Sequence, residues 1–309
     1  MRIAFLGTPE FAVAPLAALA GAGHEIACVV AQPDRPAGRG QALREPATAR
    51  WARSRSVRLL QPEKVRDGRL AAELAALAPE LLVVVAYGRI LGEDLLQLAP
   101  LGAVNVHASL LPRWRGAAPI QWSLAEGDRE TGVTVMQMDA GLDTGDILLQ
   151  RSLPVAPEET SESLHGRLSA LGAEAIVEAL PLLARGELTP VRQDPALATV
   201  APIIEKQDGR LDFSRPAERL AARVRAFTPW PGAFTTLGGR MLKVHRARLA
   251  AATGLAPGEA RAGPDGIAVG CGGGSALLLL EVQVEGKRRL PAADFVKGQP
   301  LAAGTVLGR

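Results

Sequence analysis

The chain has 309 residues, of which 48% are hydrophobic, so it is long enough and apolar enough for two domains with their own cores. Its only two cysteines, Cys28 and Cys271, form neither a disulfide framework nor a metal-ligand spacing. Net charge is +3, but 16 Lys and Arg stand against 9 Asp and Glu from residue 203 onward, compared with 19 against 23 before it. A basic C-terminal third fits a polyanion such as nucleic acid, and it fits a solvated basic surface equally well.

The N-terminal residues pass directly into a strand pattern, without the basic region and apolar core of a secretory signal. No apolar run approaches the roughly 18 residues that a membrane-spanning helix requires. We therefore expect a cytoplasmic protein that has no membrane partner.

Strands and helices alternate along the first part of the chain. Strands are predicted at 2–6, 25–31, 57–60, 81–86, 103–107, 133–138 and 147–153, and helices at 11–20, 46–54, 70–77, 95–98, 120–126 and 161–183. This alternation predicts a doubly wound, mostly parallel sheet, in which ligands bind at the carboxyl ends of the strands. The turn after the first strand lacks the G-x-G-x-x-G and phosphate-loop patterns, so neither a dinucleotide nor a nucleoside triphosphate is indicated.

The segment 32–45 is a long loop rich in proline, glycine and arginine. Connections from a strand to the next helix usually have about 2–6 residues, and longer loops are usually functional or disordered. Pro33, Pro36, Gly38 and Gly40 favour an exposed, irregular conformation over any packed element.

The pattern changes after residue 188. The stretch 189–204 holds three prolines and no clear periodicity, which predicts a linker. A helix at 215–226 is followed by short strands, separated by glycines, at 233–237, 240–249, 266–270, 276–284 and 304–307. Short strands of this kind predict a small β-barrel. The predicted domains are therefore 1–188, with an α/β fold, and 205–309, with the barrel, joined by the linker 189–204.

Two polar clusters point to a catalytic site. Asn105 and His107 alternate with valines at the end of a predicted strand, so their side chains share one face. Asp143 follows about one strand later, in the polar turn 138–146. An amide can donate to an oxyanion, an imidazole can donate or move a proton near neutral pH, and a carboxylate can orient and charge the imidazole. Each residue alone has an ordinary structural explanation, but the combination indicates chemistry that requires no nucleophile.

The same residues carry a family resemblance. The triplet Asn-Val-His at 105–107, the Ser-Leu-Leu-Pro loop at 109–112 and the Asp-Thr-Gly turn at 143–145 resemble the signature of the folate-dependent formyltransferases. The similarity runs over the whole chain and includes the segments 2–11, 32–40 and 226–232. Composition and periodicity alone indicate only an α/β enzyme with a basic C-terminal domain.

The resemblance implies a Rossmann-like catalytic domain followed by an OB-like five-stranded barrel that binds tRNA. It implies transfer of the formyl group of 10-formyltetrahydrofolate to the α-amine of methionyl initiator tRNA, in translation initiation, by a monomeric enzyme without a metal. Asn105 is then expected to donate to the oxyanion, His107 to assist it or relay the amine proton, and Asp143 to hold His107 and collect the proton. Whether His107 or Asp143 moves the proton is left open, and Ser109 is not expected to act as a nucleophile.

Two sets of binding residues follow from the resemblance. Folate contacts are expected around the central strand end and the loop after the Asn-Val-His strand, at Val85, Tyr87, Gly88, Arg89, Ile90, Leu91, Ser109, Leu110, Leu111, Pro112 and Asp139. Contacts with tRNA are expected from basic residues of the 32–45 loop and the C-terminal domain, at Arg35, Arg39, Arg44, Arg246, Arg248, Lys287, Arg288 and Arg289. Among these, Arg39 lies between two glycines, which let the backbone approach a nucleic acid closely.

Two alternatives stay open at this point. One is a formyltransferase for a small amine, such as glycinamide ribonucleotide or an amino sugar, against which the basic C-terminal domain and the 32–45 loop argue. The other is a non-catalytic RNA-binding protein on the same scaffold, which the presence of Asn105, His107 and Asp143 disfavours.

Overall fold

The computed structural model describes residues 1–37 and 42–308. The chain divides into two compact units. The first comprises Met1–Pro119, Glu130–Pro154 and His165–Ala201, and the second comprises Ile120–Arg129, Val155–Leu164 and the chain from Pro202 to its C-terminal end. Two short segments of the second unit therefore come from the part of the chain that the sequence assigns to the α/β domain.

The elements of the described chain are as follows. Its strands are β1 (Arg2–Gly7), β2 (Glu25–Val30), β3 (Arg35–Ala37), β4 (Ala42–Arg44), β5 (Leu59–Leu60), β6 (Leu81–Val85), β7 (Ala103–His107), β8 (Arg115–Gly116), β9 (Glu130–Gln137), β10 (Ile147–Pro154), β11 (Val200–Ala201), β12 (Ala233–Leu237), β13 (Arg240–Ala250), β14 (Ala260–Gly263), β15 (Gly266–Gly270), β16 (Ala276–Val284) and β17 (Leu290–Pro291). Its α-helices are α1 (Val13–Gly21), α2 (Ala47–Ser54), α3 (Arg69–Ala75), α4 (Glu93–Leu96), α5 (Pro119–Ala125), α6 (Ser161–Ala184), α7 (Ala217–Ala226) and α8 (Ala292–Gly298).

The first unit is built on a seven-stranded sheet of order β10-β9-β7-β6-β1-β2-β5. The five strands from β7 to β5 are parallel, whereas β9 and β10 are antiparallel additions at one edge. The all-apolar strand β6 is buried along its whole length, as expected for a strand covered on both faces. The predicted α/β fold with a mostly parallel sheet is confirmed.

Helices α3 and α4 pack apolar side chains against this sheet. Leu82 and Val84 of β6 pack with Leu70 and Leu74 of α3 and with Leu95 of α4. Full burial of a Leu or Val side chain contributes roughly 1.5–3 kcal/mol relative to exposure. A sheet held in register by several such contacts provides a rigid support for the polar residues that follow β6 and β7.

The arms of the 32–45 loop differ from the prediction. An irregular conformation was expected, but β3 and β4 pair as an antiparallel hairpin in which Arg35 lies opposite Arg44. The expectation is therefore wrong for these arms, because Pro36 is tolerated in a short two-stranded edge. Arg39 lies outside the described residues.

The stretch predicted as a linker, 189–204, has structure of its own. It contains a 3₁₀ turn at Pro195–Leu197 and strand β11, which pairs in parallel with β8. Up to Ala201 this stretch belongs to the first unit. Its residues satisfy polar groups of neighbouring loops, and such contacts leave no periodic pattern in the sequence.

The second unit is built on an antiparallel sheet of order β12-β13-β16-β15-β14, with β17 beside β16. Residues near the C-terminus link its two edges, since the Gly308 amide donates to the Thr236 carbonyl of β12 and the Ala260 amide of β14 donates to the Thr305 carbonyl. The predicted C-terminal β-domain is confirmed. Helix α8 was not predicted.

No helix in the described part of the chain is both long enough and apolar enough to span a lipid bilayer.

Candidate active site

The carboxyl ends of β6 and β7 meet at one edge of the sheet. The two strands are parallel neighbours with Val84 level with Asn105, so the turn after Val85 and the side chain of His107 emerge at the same edge. Asn105 and His107 are both buried, with 9% and 6% of their surfaces exposed. The structure thus brings together the strand ends that the sequence indicated.

Both ring nitrogens of His107 face a polar group, and one of them makes a hydrogen bond. Its Nε2 lies 2.8 Å from the Trp114 carbonyl oxygen. A carbonyl can only accept a hydrogen bond, so Nε2 carries a hydrogen and donates it. The other nitrogen, Nδ1, lies 3.7 Å from Oδ2 of Asp143. Because Nε2 carries the hydrogen, Nδ1 of a neutral His107 presents a lone pair to the carboxylate. The two groups therefore attract each other only when either Nδ1 or the carboxylate holds a proton.

Asp143 is fixed by the turn that carries it. Its Oδ2 accepts a hydrogen bond of 2.9 Å from the Gly116 amide, and its backbone has a φ of 52°, in the left-handed region. Two residues later, a Cβ at Gly145 would lie 1.8 Å from the Gln137 carbonyl oxygen, so only glycine fits. Asp139 closes the turn by accepting hydrogen bonds from the Gly141 amide at 3.0 Å and the Thr144 hydroxyl at 2.8 Å.

The loop after β7 is tied to β9 and β10. The Thr134 hydroxyl donates to the Ser109 carbonyl at 2.6 Å and accepts from the Leu111 amide at 3.1 Å. Gln150 donates to the Leu111 carbonyl at 2.9 Å. Ser109 is fully buried and donates its own hydroxyl hydrogen to the Arg113 carbonyl at 2.6 Å. Ser109 is therefore committed to shaping the loop, whose other members are Leu110 and Pro112.

The residues after β6 form the facing side of this edge. Val85, Tyr87 and Leu91 are buried, whereas Arg89 is exposed and 68% of the surface of Ile90 is exposed. The Tyr87 carbonyl accepts hydrogen bonds from Thr8 and from Gln32, each at 3.1 Å. Burial raises the pKa of the Tyr87 phenol above its ordinary value. In this turn the exposed residues are Ala86, Gly88, Arg89 and Ile90, whereas Tyr87 and Leu91 pack in the apolar core.

A formyl transferase family model matches residues 1–180, and a model of the formyl transferase C-terminal domain matches residues 203–300. The methionyl-tRNA formyltransferase of Anaeromyxobacter dehalogenans (strain 2CP-1) is 67% identical over 302 residues, which cover 96% of this chain and 97% of that protein. The methionyl-tRNA formyltransferase of Geobacter sulfurreducens is 51% identical, over 100% of this chain and 97% of that protein.

The chain belongs to the methionyl-tRNA formyltransferase family. This membership confirms the family resemblance. Among solved structures, HypX from Aquifex aeolicus in complex with tetrahydrofolic acid has a TM-score of 0.63 and 19% identity, over 96% of this chain. The chain spans about half of that protein, 47% of its length, and the likeness shows the shared fold alone.

Sequence reasoning missed two polar residues that support the site of this formyltransferase. Gln193 contacts the turn of Asp143, and the Thr199 hydroxyl accepts a hydrogen bond of 2.9 Å from the Trp114 amide. Both lie in the stretch predicted as a linker. No periodicity or motif distinguishes them, because each acts on backbone groups of another loop.

Of the basic residues expected to contact tRNA, those that the structure describes lie on the surface of the formyltransferase. Arg35 and Arg44 are exposed on the hairpin β3–β4, and the exposed residues of the second unit are Arg246, Arg248, Lys287, Arg288 and Arg289. Two of the latter have acidic neighbours: Arg289 lies 2.5 Å from Glu281, and Arg248 lies 3.9 Å from Asp265.

Proposed function

We propose that this protein transfers the formyl group of 10-formyltetrahydrofolate to the α-amino group of methionyl initiator tRNA. The observation that carries the proposal is the convergence of Asn105, His107 and Asp143 at one sheet edge, in a chain 67% identical to a methionyl-tRNA formyltransferase. Because the acceptor is a charged tRNA, the proposal includes reaction in the cytoplasm. A monomeric state remains a prediction, which light scattering would test.

The proposed chemistry is an acyl transfer between two amines. The methionyl nitrogen attacks the formyl carbon, a tetrahedral intermediate with an anionic oxygen forms, and the bond from that carbon to N10 of the folate breaks. The attacking nitrogen loses a proton and N10 gains one, so the reaction is balanced in protons. Asn105 donates to the anionic oxygen, since a preorganised donor aimed at developing charge is usually the largest single contribution to such a reaction.

His107 and Asp143 act in the proposal as one proton-holding pair. Because Nε2 of His107 donates to Trp114, its Nδ1 is the nitrogen that serves the reaction. The separation of 3.7 Å between Nδ1 and Asp143 Oδ2 exceeds the length of a hydrogen bond, so a proton on Nδ1 is also accessible to a third group such as the reacting oxygen. The pair supports either assistance to the oxyanion or relay of the amine proton.

The folate part of the proposal rests on the surface after β6. Ile90 provides an exposed apolar group there, whereas Val85, Tyr87 and Leu91 are buried and support the turn. Pockets for organic cofactors are mostly apolar with a few placed polar groups. The main-chain groups of Gly88 and Arg89 and the loop Ser109, Leu110, Leu111 and Pro112 complete the proposed contacts. The carboxylate of Asp139 accepts hydrogen bonds within its own turn. In the proposal Asp139 therefore contributes to folate binding by shaping that turn.

The tRNA part of the proposal rests on unbalanced positive charge. Like charges directly opposite each other in a β-hairpin destabilise it, yet Arg35 and Arg44 occupy one such pair. A phosphate group between the two guanidiniums would relieve this repulsion. Arg39 belongs to the same loop, and its contact with the acceptor end of tRNA stays a prediction.

The deciding experiment compares acceptors. The protein is incubated with 10-formyltetrahydrofolate and, in separate reactions, with methionyl initiator tRNA, free methionine and glycinamide ribonucleotide. The proposal expects formylation of the charged tRNA at a rate far above that of either small amine. Equal or faster formylation of glycinamide ribonucleotide would overturn the proposed acceptor, and binding of tRNA without any formyl transfer would overturn the proposed catalysis.

A further inference from the structure

Gln193 contacts the backbone of the turn that carries Asp143. Its side chain is buried, with 5% of the residue surface exposed. Its Nε2 lies 2.9 Å from the Asp143 carbonyl oxygen and 2.7 Å from the Gly145 carbonyl oxygen. One amide group thus holds both ends of the three-residue segment at the tip of the turn.

The orientation of this amide is fixed by its partners. On the other side, Oε1 of Gln193 accepts hydrogen bonds from Nε and one terminal nitrogen of Arg115, at 3.0 and 2.8 Å. Carbonyl oxygens only accept and a guanidinium only donates, so the NH₂ group must face the turn and the oxygen must face Arg115. Both hydrogens of the amide and its oxygen are therefore used.

These contacts join the two chain segments that meet at the Asp143 carboxylate. Arg115 precedes Gly116, and the Gly116 amide is the group that donates to Asp143 Oδ2 at 2.9 Å. Gln193 therefore connects, through Arg115, the segment that binds the carboxylate with the turn that presents it. The connection matters because Asp143 has a left-handed backbone, a conformation that costs an ordinary residue roughly 1–2 kcal/mol.

The neighbouring chain supports the partner of Asp143 as well. We call the segment 191–201 the strap. Its strand β11 pairs with β8, and its Thr199 hydroxyl accepts from the Trp114 amide at 2.9 Å. Trp114 is the residue whose carbonyl binds Nε2 of His107. The strap thus touches the supports of both members of the pair.

We propose that Gln193 is a positioning residue, which keeps the Asp143 carboxylate at Nδ1 of His107 by holding the carbonyls of Asp143 and Gly145. The inference rests on the proposed function, because it needs the carboxylate to act in formyl transfer. Small displacements of such a group are costly, since a shift of about 1 Å can lower a rate by roughly 10²-fold.

The first test replaces the amide without changing the side-chain length greatly. Gln193→Met removes both donors and the acceptor, and it is expected to lower kcat for formylation by about 10²-fold with little change in KM for either substrate. Gln193→Glu keeps an acceptor for Arg115 but loses the donors to the two carbonyls. The kcat of Gln193→Glu is expected to be as low as that of Gln193→Met. A wild-type kcat for Gln193→Glu would show that only the Arg115 contact matters and would overturn the proposal. Circular dichroism checks that both variants are folded.

The second test is a double-mutant cycle with Asp143→Asn, which removes the charge and leaves the backbone of the turn in place. If Gln193 acts through the carboxylate, Gln193→Met should lower the rate of the Asp143→Asn enzyme by less than about 2-fold, because there is no charge left to position. Gln150→Met is the matched control. Like Gln193, Gln150 donates to a main-chain carbonyl, but its partners are Leu111 and the Thr134 hydroxyl, so its effect should add to that of Asp143→Asn.

The outcomes separate this inference from the function on which it rests. A slowed but still measurable Asp143→Asn enzyme, whose rate Gln193→Met lowers by the same factor as in the wild type, overturns the role of Gln193 alone. A wild-type rate for Asp143→Asn overturns both the catalytic assignment and the role of Gln193. A strong loss in Gln193→Met that disappears in the Asp143→Asn background is the expected result.

Discussion

Nδ1 of His107 lies 3.7 Å from Oδ2 of Asp143, while Nε2 of the same ring donates to the Trp114 carbonyl. The two nitrogens therefore face different groups: Nε2 is bonded to the loop after β7, and Nδ1 faces the carboxylate. This arrangement gives a direct prediction for a single substitution.

His107→Gln separates the two nitrogens, because the Gln amide can replace the Nε2 donor but has nothing at the position of Nδ1. We expect the variant to keep its fold and to lose about 10²–10⁴-fold in kcat, the range for loss of a proton-transferring group. The rate of formylation and a thermal melt check this. A near-normal rate in the folded variant would mean that the Nε2 donor, and not Nδ1, serves the reaction.

The opposed arginines of the hairpin β3–β4 predict a measurable effect on tRNA binding. Arg35→Gln removes the like-charge pair with Arg44, so it should leave the fold intact while weakening binding of initiator tRNA and lowering the salt slope by about 1. The matched control is Arg185→Gln, at an exposed arginine that pairs with Glu187 at 2.7 Å. Equal affinities and salt slopes for both variants would contradict a role of the hairpin in binding.

The basic surface of the second unit predicts a cumulative effect. Neutralising Arg246, Lys287 and Arg288 together should weaken tRNA binding at low salt and flatten its dependence on salt, because fewer counterions are released. The turnover rate at saturating tRNA should persist. Lys297→Gln, at an exposed lysine 2.7 Å from Asp294, is the control. An unchanged salt slope in the triple variant would mean that this positive surface is merely solvated.

The sequence predicts the positions of some site residues and not those of others. Asn105 and His107 were predictable as neighbours, because a strand repeats every two residues and valines fill the opposite face. The fully apolar strand Leu81–Val85 likewise identified the centre of the sheet. Gln193 could not be predicted, since its partners are two carbonyls and one guanidinium that only the folded chain brings together. The hairpin was missed for a different reason: the proline and the charged residue at Arg35–Ala37 hide the strand propensity of this segment.

Stability should depend on pH through His165, which packs edge-on against Phe11 at 5.3 Å. Burial lowers the pKa of this imidazole below its ordinary value of 6.5, an effect that Glu10 opposes. The unfolded chain then binds the proton more readily than the folded chain. The free energy of unfolding should therefore fall as pH drops below about 6.5, by at most about 1.4 kcal/mol per pH unit for this one group. Urea melts of His165→Gln should show a shallower acid-side decline, and a decline equal to that of the wild type would contradict the assignment.

The central claim is that Asn105, beside the His107–Asp143 pair, stabilises the transition state for formyl transfer to methionyl initiator tRNA. The most direct measurement is the single-turnover rate of formylation of that tRNA by the wild-type and Asn105→Ala proteins at saturating 10-formyltetrahydrofolate. The predicted result is a rapid reaction for the wild type and a rate about 10²–10³-fold lower for Asn105→Ala, with folate affinity nearly unchanged. A wild-type rate for Asn105→Ala, or no formylated tRNA from the wild-type protein, would contradict it.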